Sequence, residues 1–175
     1  MIHLKDKSFV PFLPFEEIIT QIRKLAAKIE ADYAGRAPVF IPVLNGSFLF
    51  TADLLKEVNL PLEIAFMKLS SYEGTHSSGQ ISIDLDLRLD IAGRDVIILE
   101  DIIDTGTTLH FLLQHLQNKG AASVKTASLL FKPAALQYPV PPDYCCFEIE
   151  NKFVVGYGLD YDGLGRNLRD IYQLA

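Results

Sequence analysis

Two adjacent carboxylates, Glu100 and Asp101, stand at the end of an apolar run and just ahead of Asp104-Thr105-Gly106-Thr107-Thr108. Val96, Ile97, Ile98 and Leu99 before them have the composition of a buried strand. Leu109, Leu112, Leu113 and Leu116 after them recur at helical spacing. A strand, a tight loop and a helix start form an anion site, because the unpaired N–H groups of the first turn and the helix dipole favour negative charge. Gly106 lets the backbone approach a phosphate closely, and the three threonine hydroxyls add donors. Carboxylates beside such a cradle would repel a bare polyanion. They make sense as holders of Mg²⁺ or as acceptors for a sugar diol. A strand ending in acids ahead of a Thr-capped helix also occurs where nothing is bound, so the chemistry rests on what else the chain holds. No Gly-x-x-x-x-Gly-Lys is present, which excludes a P-loop.

The elements that must position these residues are legible as alternating helices and strands. Phe15, Ile18, Ile19, Ile22, Leu25, Ala26, Ile29 and Tyr33 share one helical stripe, opened by Pro14, suited at its positive end by Glu16 and Glu17, and closed by Gly35. A buried strand is expected over 39–44, then Asn45-Gly46-Ser47 turns into an apolar helix over about 48–58. A strand over 62–69 follows. Residues 70–80 are small, polar and poor in apolar anchors, so the segment is expected to be mobile. Ile81, Ile83, Leu85 and Leu87 alternate with polar residues as in a half-exposed strand. The central strand runs over 95–100, its helix over 107–119 with Gly120 as the stop, and another strand over 124–131. Beyond Lys132, Pro133, Pro139, Pro141 and Pro142 break the chain into loops, with short strands near 145–148 and 153–156. Such alternation implies an α/β, doubly wound, mainly parallel sheet. The Pro-rich tail makes a small C-terminal cap. Ligands bind beyond the carboxyl ends of the strands in such sheets, which is where Glu100 and the 104–108 loop must lie.

The 175 residues are expected to form one domain, a core over about 14–131 and a tail over about 132–175. A net charge of −6 without a Lys/Arg run argues against a non-specific nucleic-acid surface. No stretch has membrane-spanning length, and Pro11 and Pro14 interrupt any signal-peptide core. Cys145 and Cys146 are adjacent, so a bridge between them would be strained; two reduced thiols in a buried strand suit a cytoplasmic protein. His3, His76, His110 and His115 lack metal-ligand spacing and are expected to be ordinary surface histidines.

The whole string from Val96 to Thr108 resembles the phosphoribosyl pyrophosphate signature of the type I phosphoribosyltransferases. Three further stretches resemble the hypoxanthine and hypoxanthine-guanine phosphoribosyltransferases, over nearly the whole chain. Leu44-Asn45-Gly46-Ser47, by itself only a turn former, is similar to the family's pyrophosphate loop, which often holds a cis peptide after its Leu. Ser71-Tyr72 is similar to a pair in its flexible closing loop. Lys132, with the run from Lys152 through Phe153, Val154, Val155, Gly156, Tyr157, Gly158, Leu159, Asp160 and Tyr161 to Arg166, is similar to its base-recognition element.

That resemblance implies purine salvage: transfer of a 5-phosphoribosyl group from phosphoribosyl pyrophosphate to N9 of hypoxanthine or guanine, with Mg²⁺. It implies that residues 104–108 bind the 5′-phosphate, that Asp104 serves as the catalytic acid–base, and that Glu100 and Asp101 hold the ribose and metal. Leu44, Asn45, Gly46 and Arg166 would meet pyrophosphate. Lys132 would donate to the purine 6-oxo group, Phe153 stack on the ring, Val154 meet its edge through the backbone, and Asp160 ligate a pyrophosphate-bound Mg²⁺. It also implies a homo-oligomer, dimer or tetramer. Asn45, Thr107 and Gly163-Leu164-Gly165 depart from residues common in the family. The alternatives are a xanthine-preferring enzyme, or a non-catalytic nucleotide- or RNA-binding regulator on the same fold.

Overall fold

The computed structural model describes residues 1–71 and 81–175. Tyr72, and nearly all of the segment expected to be mobile, lie outside the described residues. The elements in chain order are β1 (Ile2–Leu4), β2 (Lys7–Leu13), α1 (Phe15–Asp32), β3 (Val39–Leu44), α2 (Phe48–Glu57), β4 (Glu63–Ile64), β5 (Met67–Ser71), β6 (Ile81–Leu85), β7 (Asp95–Ile103), α3 (Thr107–Asn118), β8 (Ser123–Phe131), β9 (Tyr144–Glu148), β10 (Val154–Val155) and β11 (Ile171–Leu174). A seven-stranded sheet is ordered β6-β5-β3-β7-β8-β9, with β4 also beside β3. All its pairs are parallel except β5–β6.

Both faces of this sheet are covered, which is why its central strands are apolar throughout rather than alternating. The two-residue period of β7 divides it between two cores. Ile97 and Leu99 pack with Phe40, with Ile18, Ile22 and Ile29 of α1, and with Phe50 and Leu54 of α2. Val96 and Ile98 point the other way, onto Ile41, Val43 and Leu109, Leu112 and Leu116 of α3. The sheet is doubly wound, as the alternation implies. No helix among the described residues is long and apolar enough to cross a membrane.

Three features differ from the sequence expectation. The central strand does not end at Glu100 but runs on to Ile103, so both carboxylates lie within β7. The strand over 62–69 is two strands: β4 pairs with Val39 and Phe40, β5 with Val43 and Leu44, and the Ala65 N–H donates to the Phe40 carbonyl between them at 3.0 Å. The cap is also more than the tail. A second, four-stranded antiparallel sheet, ordered β1-β2-β11-β10, joins the N-terminal hairpin to the C-terminus. The tail meanwhile gives β9 to the main sheet, beside β8. Cys145 and Cys146 on β9 are free and half-buried, and burial pushes both thiols up, Cys145 to about 11.

Candidate active site

The phosphate loop follows β7 directly. Gly106 caps α3 with φ +79°, so the cap is a left-handed glycine and not a threonine hydroxyl. A Cβ at Gly106 would stand 2.9 Å from Leu136 Cδ1 and 3.1 Å from Val140 Cγ2, closer than a side chain tolerates. The Thr105 and Thr107 hydroxyls lie 2.9 Å apart, and Thr105 Oγ1 accepts weakly from the Thr107 N–H at 3.3 Å. From outside, the Gln137 N–H donates to the Thr105 carbonyl at 2.9 Å. His110, expected as an ordinary surface histidine, stacks on Tyr138 with ring centroids 4.6 Å apart. The loop, with Glu100 and Thr108, lines a cavity of about 100 Å³.

At its inner wall Glu100 is only 6% exposed, and no hydrogen bond or ion pair reaches its carboxylate among the described residues. Burial, then the Asp101 charge, pushes its pKa well up. Asp101 is pushed up to about 6, by burial first and Asp160 second, against its backbone bonds and the Arg166 charge. A buried and a half-buried carboxylate side by side are a costly pair that a divalent ion would relieve. Among the described residues no group of three or more His, Cys, Asp or Glu gathers into one metal site.

This arrangement gives a pH dependence. The Asp101 proton is held more tightly folded (about 6) than unfolded (about 3.8), so the group's favourable contribution is complete below about pH 4 and lost as pH rises through about 6. Asp101→Asn keeps an acceptor for the Ile102 N–H without the charge. In metal-free protein it is expected to match the parent at about pH 4 and to exceed it by about 2–3 kcal/mol at about pH 8. Denaturant titrations at both pH values check this; parallel profiles would exclude the assignment.

Opposite the carboxylates, the Leu44–Asn45 peptide is cis, as the sequence resemblance anticipates. Asn45 is exposed and Gly46 buried. A Cβ on Gly46 would collide with the Asp101 carboxylate, and one on Gly158 with the Gly46 carbonyl. Arg166 then donates to the Gly158 carbonyl at 2.7 Å and pairs with Asp160 at 2.7 Å. Asp160 also accepts from the Gly163 N–H at 2.7 Å. One contact chain therefore runs from Asp101 through Gly46 and Gly158 to Arg166 and Asp160, uniting stretches far apart in sequence. The buried Tyr157 hydroxyl braces it by donating to Asp53 on α2 at 2.6 Å. The cleft between, about 250 Å³, is lined by Leu44, Gly46, Ser70, Glu100 and Asp101 among others. Sequence reasoning missed Ser70, whose hydroxyl lies 2.8 Å from those of Ser82 and from Asp84 Oδ1. Ser71 ends β5; its partner Tyr72 is outside the described residues.

The register of β7 and β8 decides the third corner. Ile103 pairs with Phe131, so Asp104 and Lys132 emerge side by side from the carboxyl ends of neighbouring parallel strands. Lys132 Nζ donates to Asp104 Oδ2 at 2.8 Å, with Lys132 itself 6% exposed. Nothing in the sequence showed this pairing. In the tail, Phe153 is 45% exposed although aromatic, and Val154 is buried in β10.

A phosphate loop after a parallel strand, paired carboxylates on that strand and a second sheet carrying an aromatic cluster define a class. A family model described as the phosphoribosyl transferase domain matches residues 13–162, and the chain belongs to that family. Within it, the chain belongs with the hypoxanthine-guanine phosphoribosyltransferases. It is 48% identical to the enzyme of that name from Streptococcus agalactiae serotype V over 154 residues, 87% of this chain and 86% of the relative. It superposes on a hypoxanthine phosphoribosyltransferase from Staphylococcus aureus with TM-score 0.90 at 40% identity, covering 95% of this chain and 91% of that one. A hypoxanthine-guanine phosphoribosyltransferase from Bacillus anthracis, solved with a HEPES molecule in its active site, gives TM-score 0.91 at 35% identity, covering 97% and 100%.

Proposed function

We propose that the protein transfers the 5-phosphoribosyl group of phosphoribosyl pyrophosphate to N9 of hypoxanthine or guanine and releases pyrophosphate. The observation that carries this reading is the pairing of a buried Lys132 with the half-exposed Asp104, 2.8 Å apart, at the start of the phosphate loop. Lys132 offers its remaining protons to a 6-oxo group, an acceptor that adenine lacks, and a site built around such a bond rejects the analogue without it. Phe153 supplies the stacking face, and the Val154 backbone reads the ring edge.

Residues 104–108 anchor the 5′-phosphate, a remote handle whose binding energy aligns the reacting centre. The bond at C1′ breaks ahead of attack, leaving positive charge over C1′ and the ring oxygen. Glu100 and Asp101 hold the ribose hydroxyls. The Leu44-Asn45-Gly46 backbone and Arg166 receive the leaving pyrophosphate, a preorganised electrostatic cradle. Asp104 takes the proton at purine N7. Mg²⁺ fits Glu100 and Asp101, and on the pyrophosphate side Asp160, and when bound it supplies charge neutralisation for the leaving group.

The test is a base panel of hypoxanthine, guanine, xanthine and adenine with phosphoribosyl pyrophosphate and Mg²⁺, followed by nucleotide formation. Turnover of hypoxanthine or guanine, abolished by chelator and absent with adenine, is the expected result. Xanthine as the best substrate would overturn the base assignment, and donor binding without turnover of any base would overturn the reaction.

A further inference from the structure

The N-terminal hairpin carries side chains that reach the base-stacking ring, and the functional reading above gives them no role. In β2, Lys7 and Phe9 share one face because strand side chains alternate. Phe9 lies 6.2 Å from the Phe153 centroid and 6.2 Å from that of Tyr161. Tyr161 meets Phe153 edge-on, at 5.8 Å and 85°. The Lys7 ammonium stands over both rings, 4.9 Å from the Tyr161 centroid and 6.0 Å from that of Phe153. Among the described residues the Lys7 ammonium makes no hydrogen bond or ion pair, so its closest partners are these aromatic faces. The Tyr161 hydroxyl in turn donates to Asp6 at 2.7 Å, and Lys5 pairs with Asp162. The hairpin turn thus grips the loop that carries the ring's neighbours.

We infer that Lys7 is a positioning residue for the purine: with Phe9 and the Asp6-anchored Tyr161, it holds Phe153 in the orientation that stacks on the base. The inference rests on the proposed function, because it assigns the base to Phe153. An exposed phenyl ring left to itself samples several rotamers and must be ordered when a ligand stacks on it. A ring already packed against Phe9, Tyr161 and an ammonium does not pay that ordering cost. The ammonium contributes through the attraction of a cation for the ring quadrupole; a thioether of the same reach keeps a contact with the rings but carries no charge. The effect falls on the base, since the phosphate loop, Glu100 and Asp101 belong to the other sheet and Lys7 meets Tyr161 and Phe153 rather than Asp160 or Arg166.

The experiment measures KM for hypoxanthine and for phosphoribosyl pyrophosphate, kcat and the melting temperature in four proteins beside the parent: Lys7→Met, Lys7→Arg, Phe153→Leu, and the Lys7→Met, Phe153→Leu double variant. Lys7→Met is expected to raise the hypoxanthine KM about threefold, with donor KM and melting temperature unchanged. Lys7→Arg, which keeps a cation over the rings, is expected to match the parent. In the Phe153→Leu background Lys7→Met is expected to add nothing, the non-additivity of a residue that acts through another. An unchanged hypoxanthine KM, an equal rise in donor KM, an arginine variant behaving like the methionine one, or a full effect persisting in the leucine background would each overturn the inference. Absence of turnover in the parent would instead sink the functional reading, so the two failures are distinct.

Discussion

Asp104→Asn is expected to lower kcat by roughly 10²–10⁴-fold while leaving the dissociation constant of phosphoribosyl pyrophosphate within about twofold. Asp104 stands at the mouth of the phosphate loop with its side chain 45% exposed, and only Oδ2 is committed, to Lys132 at 2.8 Å. The other oxygen has no hydrogen-bond partner among the described residues and is free to take a proton. An asparagine has nearly the same shape, and its carbonyl oxygen can still accept from Lys132. Its other end is an NH₂ group, which donates and cannot take a proton. The substitution therefore removes the proton transfer and little else, and loss of an interaction made only in the transition state lowers kcat without weakening the ground state. Donor affinity stays because the loop amides, Thr105, Thr107 and Thr108 do not depend on that carboxylate. Steady-state kinetics with saturating base, and calorimetric titration of the donor, separate the two quantities. Unchanged turnover would remove Asp104 from the chemistry. A parallel collapse of donor affinity would make it part of the phosphate cradle instead.

The same residue shows how far the sequence carries. Asp104 and its loop were legible because everything that positions them is local: an uninterrupted apolar strand, a glycine needed at one left-handed position, and leucines at helical spacing. Lys132 as a partner of Asp104 was not legible, because it depends on the register of two parallel strands and on burying a lysine, which chains rarely do without a counter-charge. The cap was legible only in part. Its aromatic and acidic residues stood out in the tail, but the N-terminal hairpin that completes it did not, since β2 and β11 pair across almost the full length of the chain. A proline such as Pro11 also makes a strand harder to read there. The structure accommodates it opposite Tyr172, where the register of the pair shifts. The split between β4 and β5 was hidden for a related reason: an apolar run of that length fits one strand as well as two, and the pairing to β3 decides.

Gly46→Ala is expected to lower kcat/KM for the donor about 100-fold, the size of loss that a displacement of about 1 Å in a reacting geometry brings. A Cβ at this position would fall on the Asp101 carboxylate, and the loop cannot retreat from it, because Gly158 already packs against the Gly46 carbonyl from the opposite side. Either Asp101 swings away or the Leu44-Asn45-Gly46 backbone moves, and in the proposed function the first loses a ribose and metal contact and the second moves the amides off the pyrophosphate. Both losses fall on the donor, so hypoxanthine KM at saturating donor should change much less. Asp101→Ala in the alanine background tells the two routes apart. It empties the space that the new Cβ needs, so if the backbone had been forced aside, pyrophosphate binding should recover relative to the single Gly46→Ala variant while donor turnover stays low. If pyrophosphate binding does not recover, the carboxylate was the part that moved. A Gly46→Ala variant with the parent's donor kinetics would show that the contact between this loop and β7 has no part in aligning the donor.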